Sequence, residues 1–270
     1  MPNKNIPSPA QAAYLRSLHH HRQMVRLCRY ALFFCFFFLW EIAADLGWID
    51  AFIFSSPSRM FQAFCTLLEN GLLLHHLSVT IAETVVGFLL GTILGTLFAI
   101  LFWWNRFLSE VSEPYLVVLG ALPKTALAPI IIVWIGNNVT SIITVALLTS
   151  LVVTIMTVLE GFQQVDEEQI KLIRVFGGTK RQILTKIVLP QNIPCIMNAL
   201  KVNVGLSFVG VIVGEFLVAK AGLGNLITYG SQVFKMDWVL LSVILLAILA
   251  AIFYQGVVIL EKLVTKRRNY

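Results

Sequence analysis

Six long apolar stretches, each close to the roughly 20 residues an α-helix needs to cross a bilayer core of about 30 Å, decide what this chain can fold into. They run near positions 30–48, 77–104, 115–135, 139–159, 197–219 and 238–260. Inside hydrocarbon every backbone amide must find its partner within the chain, and a helix achieves this segment by segment. A soluble core has no use for so many: 58% of the residues are hydrophobic and 13% charged, where soluble domains carry roughly 25% charge. The expected fold class is all-α, a polytopic membrane protein with about six transmembrane helices.

Basic residues set the orientation, because Lys and Arg near span ends are retained on the cytoplasmic side. Lys4, Arg16, Arg22, Arg26 and Arg29 precede the first span, and Arg106 follows the second. Lys171, Arg174, Lys180, Arg181 and Lys186 fall between the fourth and fifth, and Lys262, Lys266, Arg267 and Arg268 close the chain. With an even number of spans, all of these share one side, which leaves Arg59, Lys220 and Lys235 on the other and Lys124 and Lys201 within or at the edge of spans. Both termini are therefore expected to be cytoplasmic. The formal net charge of +6 follows from this bias, so no nucleic-acid partner is needed to explain it.

The chain divides into a basic segment (1–29), a first transmembrane helix with an outer interfacial helix (30–76), a core of five transmembrane helices (77–262) and a basic tail (263–270). The run from Phe33 to Phe38 could be taken for a secretory signal, but the long polar lead and the acidic Glu41 and Asp45 favour an uncleaved first span. Between the first two spans, Ser56-Pro57 is a helix start and Asn70-Gly71 a stop. In the second span Gly87, Gly91 and Gly95 recur every four residues, a small-residue stripe that lets another helix approach, within one subunit or between two. Pro123 and Pro129 interrupt the third span, and Lys124 beside the break faces either a polar pathway or the interface by snorkelling.

Cys28, Cys35, Cys65 and Cys195 stand at no metal-ligand or redox spacing, and His19-His20-His21 has no Cys or carboxylate beside it, so neither a metal nor a catalytic centre is expected.

A polar island at 161–194 breaks the apolar pattern. Asp166 suits an N-cap, Glu167 and Glu168 suit the positive helix end, and Ile170, Ile173 and Phe176 would share an apolar face. Gly177-Gly178 then ends this helix. Thr179 with Gln182 caps a second, carrying Ile183, Leu184, Ile187 and Val188, which Pro190 stops. Such a pair reads either as a hairpin on lipid headgroups or as a lever for a partner's groove.

Gly177 followed by Ile187, Leu189 and Pro190 resembles the coupling loop of binding-protein-dependent ABC permeases, in which Ile-x-Leu-Pro comes nine residues after a glycine. Ala121-Leu122-Pro123-Lys124, Ala128-Pro129, Trp134-Ile135-Gly136, Gly214-Glu215 and Ala221-Gly222-Leu223-Gly224 look like the nitrate/sulfonate/taurine branch of these permeases. The resemblance implies a type I ABC importer permease fold in a bacterial inner membrane, moving a small anionic solute such as a sulfonate, or alternatively a pyrimidine precursor of thiamin. It also implies three partners besides membrane lipid: an ABC ATPase subunit, an extracytoplasmic solute-binding protein, and a second permease copy, as a homodimer or as a paired subunit. ATP and Mg would be bound by the partner ATPase, since the chain contains no G-x-x-x-x-G-K-[ST] loop, and the chain itself needs no cofactor. ATPase coupling would fall to Asp166, Glu167, Glu168, Lys171, Arg174, Gly177, Thr179, Ile187, Leu189 and Pro190. One departure is that Lys171-Leu172-Ile173 stands where the family has its acidic-small-small triplet.

Polar residues inside apolar spans mark a candidate translocation path: Lys124, Thr149, Ser150, Asn203, Ser207 and Glu215, with Glu83, Thr84 and Thr154 beside them. For the Ser and Thr residues, bonding back to their own helix is the simpler account. Glu215 could also pair with Lys220 or Lys124. An ion-coupled secondary transporter is the rival from another class, with Glu83 or Glu215 carrying protons, but no repeat of broken spans supports it. A membrane enzyme would need clustered His, Asp, Cys or Ser at membrane depth, and no His falls within a span.

Overall fold

The computed structural model describes residues 9–266, so Lys4, Arg267 and Arg268 lie outside the described residues. Every regular element among these residues is helical. Five helices are long and apolar enough to cross a membrane, and a sixth span is supplied by a bent pair.

The first helix, α1 (Pro9–Asp45), starts well before the apolar run that announces it. No Gly or Pro follows Pro9 before its end, and the Ala, Leu, Gln and Arg of the basic lead are good helix formers, so lead and span are continuous. Near its end Glu41 accepts the backbone N–H of Ser58 at 2.9 Å, which accounts for an acidic group in an apolar helix. α2 (Ala51–Phe54) and α3 (Pro57–Glu69) follow. Ser56 caps α3, Pro57 takes its first turn where no donor is needed, and Met60, Ala63 and Leu67 form the buried stripe. Arg59 pairs with Asp237 at 3.2 Å, and Ser55 donates to the same carboxylate at 2.6 Å, which ties this segment to the last helix.

α4 (Leu72–Trp104) is the second span. The third is broken: α5 (Arg106–Ala121) and the stretch Lys124–Ile135 meet at 88°. The two prolines do not kink one helix. Pro123 stands at the break, whereas Pro129 lies in the first turn of α6 (Ala128–Ile135), where its missing N–H leaves no gap. α7 (Val139–Gln163) is the fourth span, capped by the Asn138 side chain on Ser141 N–H at 3.1 Å. After the loop elements come α11 (Ile193–Val218), α12 (Leu223–Gln232) and α13 (Met236–Lys266). Lys201 of α11 finds its counter-charge in Glu261 of α13 at 2.7 Å, which explains a lysine inside a span.

α7 is the centre of the bundle, packed between α4 and α11. The glycine stripe of α4 meets it within the same chain: a Cβ at Gly87 would come within 2.7 Å of Ala146 Cβ, one at Gly91 would overlap the Ser150 hydroxyl, and one at Gly95 would lie 2.5 Å from Thr154 Cβ. From the other side Gly210 and Gly214 of α11 abut Ala146 and Ile142. Three backbones thus approach as closely as missing side chains allow.

Gly91→Ala should therefore lower the apparent melting temperature in detergent, with a loss of about 1–3 kcal/mol from overpacking. Gly205→Ala in α11, where an added Cβ meets nothing within 4 Å, should raise it, with a gain in stability of about 0.5–1 kcal/mol.

Candidate functional site

Two places concentrate polar chemistry: the loop between α7 and α11, and the seam between α4 and α11. In the loop, α8 (Glu167–Val175) begins at Asp166, whose side chain accepts the N–H of Glu168 at 2.9 Å, with Glu167 and Glu168 in the first turn. Lys171 reaches back to Glu167 at 3.4 Å, an exposed pair of small energetic weight. Gly177 turns the chain at φ +75°, conformational ground that glycine enters without penalty, and Gly178 N–H closes onto Ile173 O at 2.9 Å. Thr179 and Gln182 then form a full capping box on α9 (Lys180–Ile183).

The second helix widens where the Ile-x-Leu-Pro motif sits. From Leu184 to Val188 the backbone is a π-turn, and Leu189 N–H bonds to Leu184 O, five residues back. Pro190, in α10 (Leu189–Gln191), cannot donate and its ring crowds the carbonyl four residues earlier, and the wider turn relieves that crowding without ending the helical path. Pro190 therefore deforms the helix rather than stopping it. Gln191 donates to Gln169, closing α10 onto α8.

This block is anchored from below and bare on top. Ile183, Leu184 and Val188 are buried with Phe102, Phe162 and Val165, and Ile170, Ile173, Ile187 and Leu189 pack against them. Lys180 donates to Trp104 O at 2.5 Å and sits over the Trp103 and Trp104 rings, which pins the loop to the end of α4. Phe176 does not join Ile170 and Ile173 in that core. It is 82% exposed, beside Val175 at 83%, because the residues before Gly177 project from the outer end of α8. Arg174 is exposed with them.

In the seam, Asn203 of α11 donates to Thr92 of α4 at 3.0 Å and to Thr154 of α7 at 2.6 Å, a three-helix clamp. Thr149 and Ser150 bond back to their own helix, at 2.6 Å to Val145 O and at 3.2 Å to Ala146 O, and both are buried between helices. Ser207 is buried with its hydroxyl unpartnered. Glu215 pairs with neither Lys220 nor Lys124. Its carboxylate accepts from Thr80 at 2.7 Å and from Gly224 N–H at 2.5 Å. Lys124 stands apart from the seam, donating to Gly120 O at 2.9 Å across the helix break, where it satisfies a carbonyl that the break freed.

Residues 87–270 match the family described as the binding-protein-dependent transport system inner membrane component. The chain belongs to that family. It is a transport permease of the ABC importer type and not an enzyme. The permease is 32% identical to a riboflavin transport system permease protein, RibX of Chloroflexus aurantiacus, over 84% of this chain and 85% of the relative. It is 28% identical to SsuC of Bacillus subtilis, named for aliphatic sulfonates transport, over 86% of this chain and 84% of that one. In three dimensions it resembles a chain of a bacterial ABC transporter involved in import of the acidic polysaccharide alginate, with a TM-score of 0.65 at 14% identity, over 94% of this chain and 98% of that one.

Sequence patterns missed two parts of the permease's polar framework. Lys180 was legible only as one more topogenic charge, since nothing in the chain places it beside a tryptophan pair 76 residues away. His76 lies just outside the apolar run assigned to its span, yet it is buried with Nδ1 2.9 Å from Gly222 O and 3.0 Å from Gly222 N.

Lys180→Ala should loosen the loop while leaving the bundle folded. Loss of the hydrogen bond and ring contacts, about 1 kcal/mol, should speed amide exchange across α8 and α9 roughly fivefold, read by hydrogen exchange with mass spectrometry.

Proposed function

We propose that this permease forms the solute path of an ATP-driven importer and receives the work of transport through the tip of α8. The observation that carries the proposal is a bare apolar tip on a packed base. Leu172, Val175 and Phe176 are exposed, while the helices that bear them are wedged under Phe102 and Phe162. A large exposed apolar group rimmed by charge, here Glu167, Lys171 and Arg174, is a recognition surface of the helix-in-groove kind.

The partner is an ABC ATPase that binds ATP and Mg. Closure of that partner pushes the tip, and the block moves with α4 and α7 because its apolar side is part of their core. Coupling thus biases a two-state bundle through differential contacts, with no chemistry in this chain. Asp166, Glu167 and Glu168 supply the acidic character that the Lys171-Leu172-Ile173 segment lacks, one turn earlier on the same helix. Gly177 and Thr179 shape the turn, and Ile187, Leu189 and Pro190 shape the widened helix that carries motion into α11.

In the membrane, the loop and both termini face the cytoplasm, in line with the basic residues gathered on that side. A second copy of the chain completes the path, and an extracytoplasmic binding protein delivers the solute. We assign the solute to small anions of the sulfonate kind. Support comes from the family branch that the Pro123 and Glu215 motifs resemble, from the name of the sulfonate relative, and from Lys124 at the break of the third span. Asn203, Ser207, Thr149, Ser150 and Glu215 serve this path as the polar framework that positions its helices.

Phe176→Asp places a charge in the proposed contact without touching the core. Co-purification of an ATPase from the native membrane should fall by at least roughly thirtyfold, the loss of an interface hot spot worth about 2 kcal/mol, with unchanged elution of the permease. Retained ATPase would remove the α8 tip as the docking face.

A further inference from the structure

Glu83 of α4 and Glu215 of α11 meet inside the bundle at the end opposite the loop, 3% and 1% exposed. Their carboxyl groups lie within hydrogen-bonding reach of one another. Glu215 is furnished as an anion: its two oxygens take the Thr80 hydroxyl at 2.7 Å and Gly224 N–H at 2.5 Å. The turn is built around it, since a Cβ at Gly222 or at Gly224 would strike its side chain. Glu83 has no such provision, and its Oε2 is buried without any partner.

Two ionised carboxylates cannot share such a site, because both groups are buried and neither is ion-paired with a cationic side chain among the described residues. We propose that Glu83 and Glu215 form a site for a single proton, carried by Glu83 and donated to Glu215, that latches the turn at Gly222, Leu223 and Gly224 onto α4. The proton gives the Glu83 carboxyl a bond to make and leaves one charge where the structure supplies two donors for one. The same turn is held to α4 by Leu223 N–H on Thr80 at 2.8 Å and by His76 on Gly222. Loss of the proton would set α4 against α11 at the point where the turn docks.

Access for the proton comes through a cavity of about 340 Å³ that Glu83 lines together with Asn137, Asn138, Ala219 and Lys220. The other ionisable groups facing the pair are few. α4 contributes His76, with His75 beside it; the α11–α12 turn contributes Lys220 on the cavity wall; α12 has no acidic or basic side chain; α7 presents Asn138 and Ile142.

The test uses the full-length permease in nanodiscs, titrated from about pH 6 to about pH 9. Infrared spectra should hold a protonated-carboxyl C=O band that bleaches with alkali. Because the native state then binds a proton that the unfolded chain lacks, stability must fall as pH rises, by up to about tenfold in the folding equilibrium per pH unit. Glu83→Gln should abolish the band, flatten that pH dependence and keep the neutral-pH melting temperature. The proposal fails if no band exists near neutral pH, if the pH dependence survives Glu83→Gln, as it would were His76 responsible, or if stability follows sodium or potassium concentration instead, which would mean a bound cation. Should Glu83→Gln not fold, the wild-type band and its response to alkali and to the two salts decide the matter alone.

Discussion

Everything in this permease hangs on how closely three helices approach. Lipid tails are as apolar as leucine, so burying apolar side chains does not drive helices together inside a membrane, and packing contact with a few interhelical hydrogen bonds has to do so. Gly87, Gly91 and Gly95 on one side and Gly210 and Gly214 on the other remove the side chains that would keep α4 and α11 off α7. Asn203 and Glu215 then fasten the three helices with bonds that require that proximity. α1, by contrast, has no buried side chain among those described, and near its C-terminal end Glu41 accepts the N–H of Ser58 at the start of α3.

The loop inherits its stiffness from that triple. Its two helices are short, too short to hold shape alone, yet their apolar side continues the core formed by Phe102, Val158 and Phe162. Lys180 over the tryptophan pair adds a second attachment to α4. The block is therefore fixed to α4 and α7 together, with Phe176 left exposed at its outer end. The polar seam sits in the same triple, so the block and the seam share the helices α4 and α7.

Much of this was legible in the chain. The spans, the capping box at Thr179, the turn at Gly177 and the helix start at Ser56 all rest on local chemistry, and local chemistry survives folding. The reading faltered where a residue's partner is distant. Phe176 fits the periodicity of a buried face but projects past the helix end. Pro190 widens a helix that its type alone would be expected to end. The prolines of the third span act at a junction and a first turn, since the bend falls at Leu122-Pro123 and Pro129 opens the next helix.

Hydropathy and capping along the chain were enough to show that it crosses a membrane as helices, roughly where most of the spans lie, and that a structured polar loop interrupts them, but not the early start of α1 or the bend in the third span. Length, hydropathy and capping are properties of neighbours in the chain, and hydrocarbon allows few alternatives. Which polar groups meet was settled by the packing of the helices alone. Asn203 clamps residues 111 and 49 positions away, Thr80 finds Glu215 across 135, and Glu83 faces the one group it would avoid if both were charged. Those meetings depend on the register of three helices, and that register is set by where glycines let backbones touch, a property no single helix possesses.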